Sequence, residues 1–272
     1  MTGPGDLERF LRLGEEIYAG NPAWVPPQRD DLIRLLTGRS PLSGLVTHAC
    51  LFEQGGIPAA RAAAFVNDHY VRSHHRRVGF VGLFEARPGH PEAAQAVLMA
   101  AGDWLAGRGM EAAVAPINGH VLYGFALPHD HFDELPIFPY GGGLPFYPQA
   151  FLDAGYEAAY PELTYLIDLR PLDPSALAAR SRAGGIHIRP FGSRSFRDDC
   201  ETMTQVINDA FAGKWYYAPL PLADSLAFWR RNRQGIVPRL FLIAERDGEP
   251  VGALLSFPDY SPALRAMDGS SS

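Results

Sequence analysis

The chain has 272 residues, 47% hydrophobic and 20% charged, and its net charge of -6 is uneven: residues 1–170 hold 12 arginines against 19 carboxylates. That length supports about two domains, each with its own core, and without a basic patch it gives no argument for nucleic acid as a partner. The N-terminus has neither a basic start nor an apolar run, and no apolar stretch approaches membrane-spanning length, so neither a leader nor a membrane partner is expected and the expected compartment is the cytoplasm.

Leu7, Phe10, Leu11, Leu13 and Ile17 follow helical spacing after a capping Asp6. Asn21 to Pro27, N-P-A-W-V-P-P, is a rigid connector whose prolines forbid a continuous helix. Leu32, Ile33, Leu35 and Leu36 mark a second helix. His48–Glu53 and Ala59–Asn67 read as strands joined at Gln54-Gly55-Gly56. The stretch H-Y-V-R-S-H-H-R-R, with Arg72, His74, His75, Arg76 and Arg77, reads as a solvated turn. A phosphate reading of this cluster meets a geometric objection, since the strand that follows spans about 25 Å and puts it at the far end from the next turn.

That strand, Val78 to Glu85, opens a strand–turn–helix–strand unit. Pro91 starts the helix, Ala94, Val97, Leu98, Ala101 and Leu105 form its apolar stripe, and Glu111–Pro116 returns parallel to the first strand. After a long irregular segment, Phe146–Tyr156 reads as a short helix closed by Gly155, and Tyr165–Leu169 as a strand ending the first domain near Arg170. Residues 171–185 read as a linker in which Asp173-Pro174 starts a short helix. Strand 186–191, helices 196–211 and 222–233, and a hairpin of 240–245 with 251–257 turning at Asp247-Gly248 then repeat the opening of domain one up to residue 262. Residues 263–272 read as a disordered tail. Cys50 and Cys200 read as buried free thiols.

Taken together, W-V-P-P, G-F-V-G-L-F-E-A, A-A-G-D-W-L-A-G-R-G-M and P-F-Y-P-Q-A-F-L-D-A-G-Y resemble the GNAT superfamily of acyl-CoA-dependent N-acetyltransferases. The closer likeness is to a bacterial group with two GNAT-like domains, the second incomplete here. The resemblance implies an α/β fold, a mixed twisted sheet with flanking helices, over residues 1–170, and a partial copy over 186–262. It implies acetyl-CoA as co-substrate, held against Phe84, Ala86, Arg87, Gly89, His90, Ala93 and Asn118. Glu85 would be the base that takes the amine's proton, and Tyr147 the acid that protonates the leaving thiolate. His120 would face the same cleft as Asn118.

In the family's phosphate-binding turn, Arg87 matches the first position, while His90 and Glu92 occupy the two small-residue positions and Ala93 lies one place late. Pro88 and Pro91 have no N–H to offer, and Glu92 brings a negative charge to a place suited to an anion. Two readings of function are therefore open. One is acyl transfer to a small-molecule or protein amine by direct attack on the thioester. The other is a non-catalytic GNAT-fold binding or scaffold protein with a degenerate CoA site. The missing half-domain suggests a longer natural chain, a protein that has lost that half-domain, or a homodimer in which a partner completes the sheet. His129, Asp130, His131, Asp133 and Glu134 read as a solvated loop, with no metal expected. G-x-S-x-G, Walker, Cys-x-x-Cys and G-x-G-x-x-G motifs are absent from the sequence.

Overall fold

A computed structural model describes residues 4–137, 140–171, 175 and 185–267. The chain divides into two compact units, one made of Met1–Ala159 with Trp215–Ala218 and Asp259–Ser272, the other of Tyr160–Lys214 with Pro219–Pro258.

The first unit contains α1 (Pro4–Ile17), α2 (Arg29–Leu36), β1 (Leu45–Gln54), β2 (Ile57–Asn67), α3 (Asp68–His74), β3 (Val78–Ala86), α4 (Pro91–Gly107), β4 (Ala112–Val114) and α5 (Tyr147–Asp153). Its four strands form one mixed sheet in sequence order, antiparallel except for the parallel β3–β4 pair. The α/β fold expected from the sequence, a mixed sheet with flanking helices, is the fold observed. Strand β2 is buried on both faces, and its alanines let helices approach from either side. Ala62, Ala64 and Val66 belong to the core under α4 and α5, which also takes Val81, Val97, Leu98 and Phe151. Ala63 and Phe65 belong to the opposite core, with Phe10, Leu35 and Phe80. This is the two-residue alternation of a strand read on both of its faces.

Two elements differ from expectation in this unit. The basic stretch after Asn67 forms the short helix α3, because the Asn67 carboxamide accepts from the N–H groups of His69 (3.1 Å) and Tyr70 (3.2 Å). Tyr70 anchors it, being buried with its hydroxyl donating to the Trp215 carbonyl at 2.6 Å. The tail also carries helix through Ala266: α8 (Ser261–Ala266), whose Ser261 hydroxyl donates to the Pro136 carbonyl. Residues 268–272 lie outside the described residues.

In the second unit, β5 (His187–Pro190), α6 (Phe196–Phe211), α7 (Leu222–Arg231), β6 (Phe241–Arg246) and β7 (Glu249–Leu255) build an antiparallel sheet ordered β5-β6-β7. Its core gathers Phe191, Cys200, Met203, Leu226, Trp229, Phe241 and Ile243. Asp247 and Gly248 both take positive φ, 53° and 84°, as the expected two-residue hairpin turn requires. The strand expected at Tyr165–Leu169 does not form. Its residues pair with no other strand, and Leu166 is 99% exposed. Alternating apolar residues specify a strand only where a neighbour offers hydrogen bonds, and none of the described residues does so here. The helix start at Asp173-Pro174 falls outside the described residues. Both cysteines are free and buried, and burial pushes the Cys200 thiol up to about 11.

Candidate active site at the end of strand β3

The site begins with an irregularity in β3. Parallel pairing with β4 runs from Val78↔Ala112 to Phe80↔Val114. The chain then passes the cis Ala115–Pro116 bond, and Ile117 N–H donates to the Val81 carbonyl at 2.9 Å. Gly82 is required beside it: a Cβ there would lie 2.6 Å from the Ile117 carbonyl oxygen and would collide with Asn118 Oδ1. Next, Leu83 adopts φ 49° and the β2–β3 register shifts, the signature of a β-bulge. The bulge changes the strand's phase. With regular alternation Glu85 would share a face with Val81; instead Phe84 joins Val81 in the α4 core, and Glu85 turns to the α1 side.

There it meets a buried polar group. Tyr147, on the first turn of α5, donates its hydroxyl to Glu85 Oε2 at 2.6 Å and accepts the Ala86 N–H at 3.1 Å. Its ring is held edge-on to Phe84 at 4.9 Å. Arg61 of β2, 4% exposed, brings Nη2 to 3.8 Å from Glu85 Oε1 and donates through Nη1 to the Phe10 carbonyl at 2.6 Å, so α1 fixes its position. Burial raises the Glu85 carboxyl above its ordinary range even though the Arg61 charge and the Tyr147 hydrogen bond pull it down. Burial also lifts the Tyr147 hydroxyl well above an ordinary phenol, with the Glu85 charge adding to the effect. Tyr18, at the end of α1, is raised for the same two reasons. Its ring stacks on Trp24 at 5.4 Å.

The structure thus brings Glu85 and Tyr147 into direct contact. It also adds Tyr18 and Arg61, which sequence reasoning passed over. For Arg61 a signal was present: a lone arginine inside A-A-R-A-A-A, a run otherwise small enough to be buried on both faces, has to find a buried partner.

The residues expected to hold a CoA group are distributed differently. Phe84 is a core aromatic, and the Ala86 N–H is committed to Tyr147. Arg87 donates its N–H to the Ala59 carbonyl and its Nε to the Pro58 carbonyl at 2.8 Å, and its guanidinium pairs with Glu16. His90 N–H bonds back to the Arg87 carbonyl and Ala93 N–H to the His90 carbonyl, while His90 Nδ1 lies 2.7 Å from Gln54 Oε1. Among the described residues, the N–H groups of Gly89 and Glu92 make no such bond, and they stand at the N-terminus of the 17-residue α4. The turn therefore keeps two donors and a helix dipole for an anion. Beside it is a hollow of about 360 Å³ walled by Gln54, Pro58, Arg87 and His90.

Asn118 and His120 serve the fold in this conformation. Asn118 Oδ1 accepts the Leu83 N–H at 2.8 Å, and Nδ2 donates to the Tyr123 carbonyl at 2.8 Å. Replacing Asn118 by alanine leaves the bulge N–H unpaired, and the expected cost is about 1–3 kcal/mol, read as a lower urea midpoint at constant m. His120 is buried, its Nδ1 accepting from Leu122 N–H and its Nε2 lying 2.9 Å from the Ala218 carbonyl. His131 and Glu134 form an exposed pair at 3.0 Å, and no group of three metal-binding side chains occurs among the described residues. No helix among them is long and apolar enough to cross a membrane.

A cavity of about 530 Å³ beside this cluster lies between α1, the Asn21–Pro27 connector and α2, with Leu11, Glu15, Tyr18, Trp24, Leu32 and Arg61 among its walls.

No family model matches the sequence. Two curated proteins align over nearly its whole length. Bacterial ceramide synthase of Caulobacter vibrioides is 25% identical over 98% of this chain and 71% of its own length. Protein YghO of Escherichia coli is 19% identical over 97% and 69%. Among solved structures, a tandem GNAT protein from the clavulanic acid biosynthesis pathway matches 94% of this chain and 73% of its own, at 14% identity and a TM-score of 0.49. The GCN5-related glucosamine N-acetyltransferase region of a fungal multi-domain β-N-acetylglucosaminidase matches 91% of this chain at 13% identity and a TM-score of 0.48, and this chain spans 26% of that protein. The chain is similar to GNAT-fold proteins.

Proposed function

We propose that the protein is an acyl-CoA-dependent N-acyltransferase whose acceptor is a small amine, and that the reaction is direct attack of the amine on the thioester. The observation that carries this reading is the buried Tyr147–Glu85 hydrogen bond at 2.6 Å, which puts a proton donor and a proton acceptor of suitable chemistry in contact at the end of β3. The amine nitrogen bonds to the thioester carbonyl carbon and the carbon–sulfur bond breaks. The nitrogen's proton goes to Glu85, and the thiolate takes the Tyr147 proton, which Glu85 then replaces. The raised phenol of Tyr147 suits this role, because it keeps its proton until a stronger base than water appears.

The relative in Caulobacter sharpens the substrate class. A ceramide is the amide of a fatty acid and a long-chain amino alcohol, so the reading extends from acetyl to longer acyl groups and from simple to amphipathic amines. The cavity beside Tyr18 suits such an acceptor, with Leu11, Trp24 and Leu32 for its apolar part. Gly89, Glu92 and the start of α4 would hold the CoA pyrophosphate.

The alternative, a non-catalytic GNAT-fold binding protein, is favoured by the turn, where Arg87, His90 and Ala93 spend their N–H groups within the chain. Measured heat on titrating acetyl-CoA, together with release of CoA thiol from acetyl- and octanoyl-CoA in the presence of a long-chain amino alcohol, is the expected result. No heat with acetyl-CoA or CoA at millimolar concentration and no thiol release would overturn the enzymatic reading.

A further inference from the structure

The cavity beside Tyr18 and the buried acid–base pair are adjacent but not continuous. Tyr18 and Arg61 are in the cavity wall, whereas Glu85 and Tyr147 are not. An amine in the cavity therefore meets Glu85 only through one of these two side chains. Arg61 has five donors, no acceptor and no proton it can give up, so it cannot carry a proton in either direction. A tyrosine hydroxyl both donates and accepts.

We propose that Tyr18 carries the acceptor's proton from the cavity to Glu85. The proposal rests on the acyl-transfer reading above and adds to it a residue that the Glu85–Tyr147 pair alone does not supply. Three observations support it. Tyr18 is 3% exposed, yet its hydroxyl has no hydrogen-bond partner of good geometry among the described residues. Buried hydroxyls are nearly always satisfied, and one left unpaired beside a cavity is completed by what binds there. Tyr18 lines the cavity that Glu85 and Tyr147 do not reach, and its hydroxyl responds both to the Glu85 charge and to hydrogen-bonding proximity of Glu85 and Tyr147. Finally, the parallel stack on Trp24, 6° from coplanar, fixes the ring while leaving the O–H free to rotate.

The transfer balances. As the amine nitrogen bonds to the acyl carbon, its proton passes to Tyr18 Oη while the Tyr18 proton passes to a Glu85 oxygen. Tyr147 gives its proton to the departing sulfur and recovers one from Glu85. Both tyrosines and the glutamate end as they began, and one proton has moved from nitrogen to sulfur. Because its hydroxyl is held above the ordinary phenol range, Tyr18 exchanges its two protons together and does not accumulate as a tyrosinate.

Tyr18→Phe keeps the ring and the Trp24 stack and removes only the oxygen. With acetyl-CoA and the best acceptor found for the wild type, kcat is expected to fall about 100-fold, with KM for acetyl-CoA within twofold and an unchanged thermal midpoint. If this variant folds poorly, 3,5-difluorotyrosine at position 18 preserves shape and hydrogen bonding while lowering the phenol's pKa. The alkaline limb of its kcat profile is then expected to move to lower pH, a change that a structural role would not produce. Turnover within threefold of wild type in Tyr18→Phe, or an unmoved profile in the fluorinated protein, would overturn the relay. Wild-type protein that releases no thiol defeats the acyl-transfer reading and the relay with it. A dead Glu85→Gln beside an active Tyr18→Phe defeats the relay alone.

Discussion

Glu85→Gln lowers turnover by about 100- to 10,000-fold, the usual contribution of a positioned general base, and leaves KM for acetyl-CoA near the wild-type value. The same substitution makes the protein more stable at neutral pH. In the wild type, folding raises the Glu85 carboxyl above its ordinary 4.5, with burial the leading cause. The folded state therefore holds a proton that the unfolded state has released, and stability falls as pH rises from about 4.5 through the raised value. Glutamine keeps the shape, accepts from the Tyr147 hydroxyl and brings no charge. Arg61 retains its bonds to the Phe10 and Leu11 carbonyls. Thermal melts at pH 4 and pH 8 test this, with coincident midpoints expected at the lower pH and a higher midpoint for the variant at the upper. Opposed effects on activity and stability are the mark of a functional residue whose environment is unfavourable to it. A variant that lost stability at pH 8 would show that Glu85 is a structural ion-pair partner.

Asp199→Ala is expected to cost the second unit about 3–5 kcal/mol, the penalty for breaking a buried ion pair by removing one partner. Asp199 is completely buried and accepts from Arg189 Nη1 at 2.6 Å, from Gly192 N–H at 2.7 Å and from Arg194 N–H at 3.3 Å. Arg189 also donates through Nε to Glu245 at 2.8 Å, so this one cluster ties β5, α6 and β6. Without Asp199 the guanidinium keeps one carboxylate, and two turn N–H groups are left open. Hydrogen exchange resolved by peptide is the measurement. Amides of 187–190 and 241–246 should lose protection, whereas those of β2 should keep theirs. Equal protection in both sheets would refute the assignment of this cluster as the second unit's keystone.

The elements of the fold were legible where one physical signal dominated. The stripe from Ala94 to Leu105 fixed α4, and Asp247-Gly248 fixed the β6–β7 turn, because spacing and left-handed backbone need no tertiary information. The helix at 68–74 was not legible as such, since its stability comes from the Asn67 cap and from the burial of Tyr70, neither of which periodicity over seven residues reports. Tyr165–Leu169 failed for the opposite reason: the local pattern is that of a strand, but a strand is made by its neighbour. At the site, the motif located Glu85 and Tyr147, and the structure joined them. The route by which they meet was hidden, because it depends on Leu83 adopting positive φ, which nothing about leucine suggests.

That bulge has a consequence for how the protein tolerates insertions and deletions. Polarity along β3 is assigned by counting residues from the sheet's centre, and Leu83 resets the count by one. Deleting this single apolar residue would remove the bulge and leave Phe84 and Glu85 on their present faces, whereas keeping it in regular strand geometry would alter no charge and no hydrogen-bonding side chain, yet would rotate Glu85 into the layer of Val81 and Leu98 and carry Phe84 to the opposite side. Which layer of the sheet carries the acid–base group is thus encoded in one backbone torsion of a leucine, at a position where a survey of polar residues would never look.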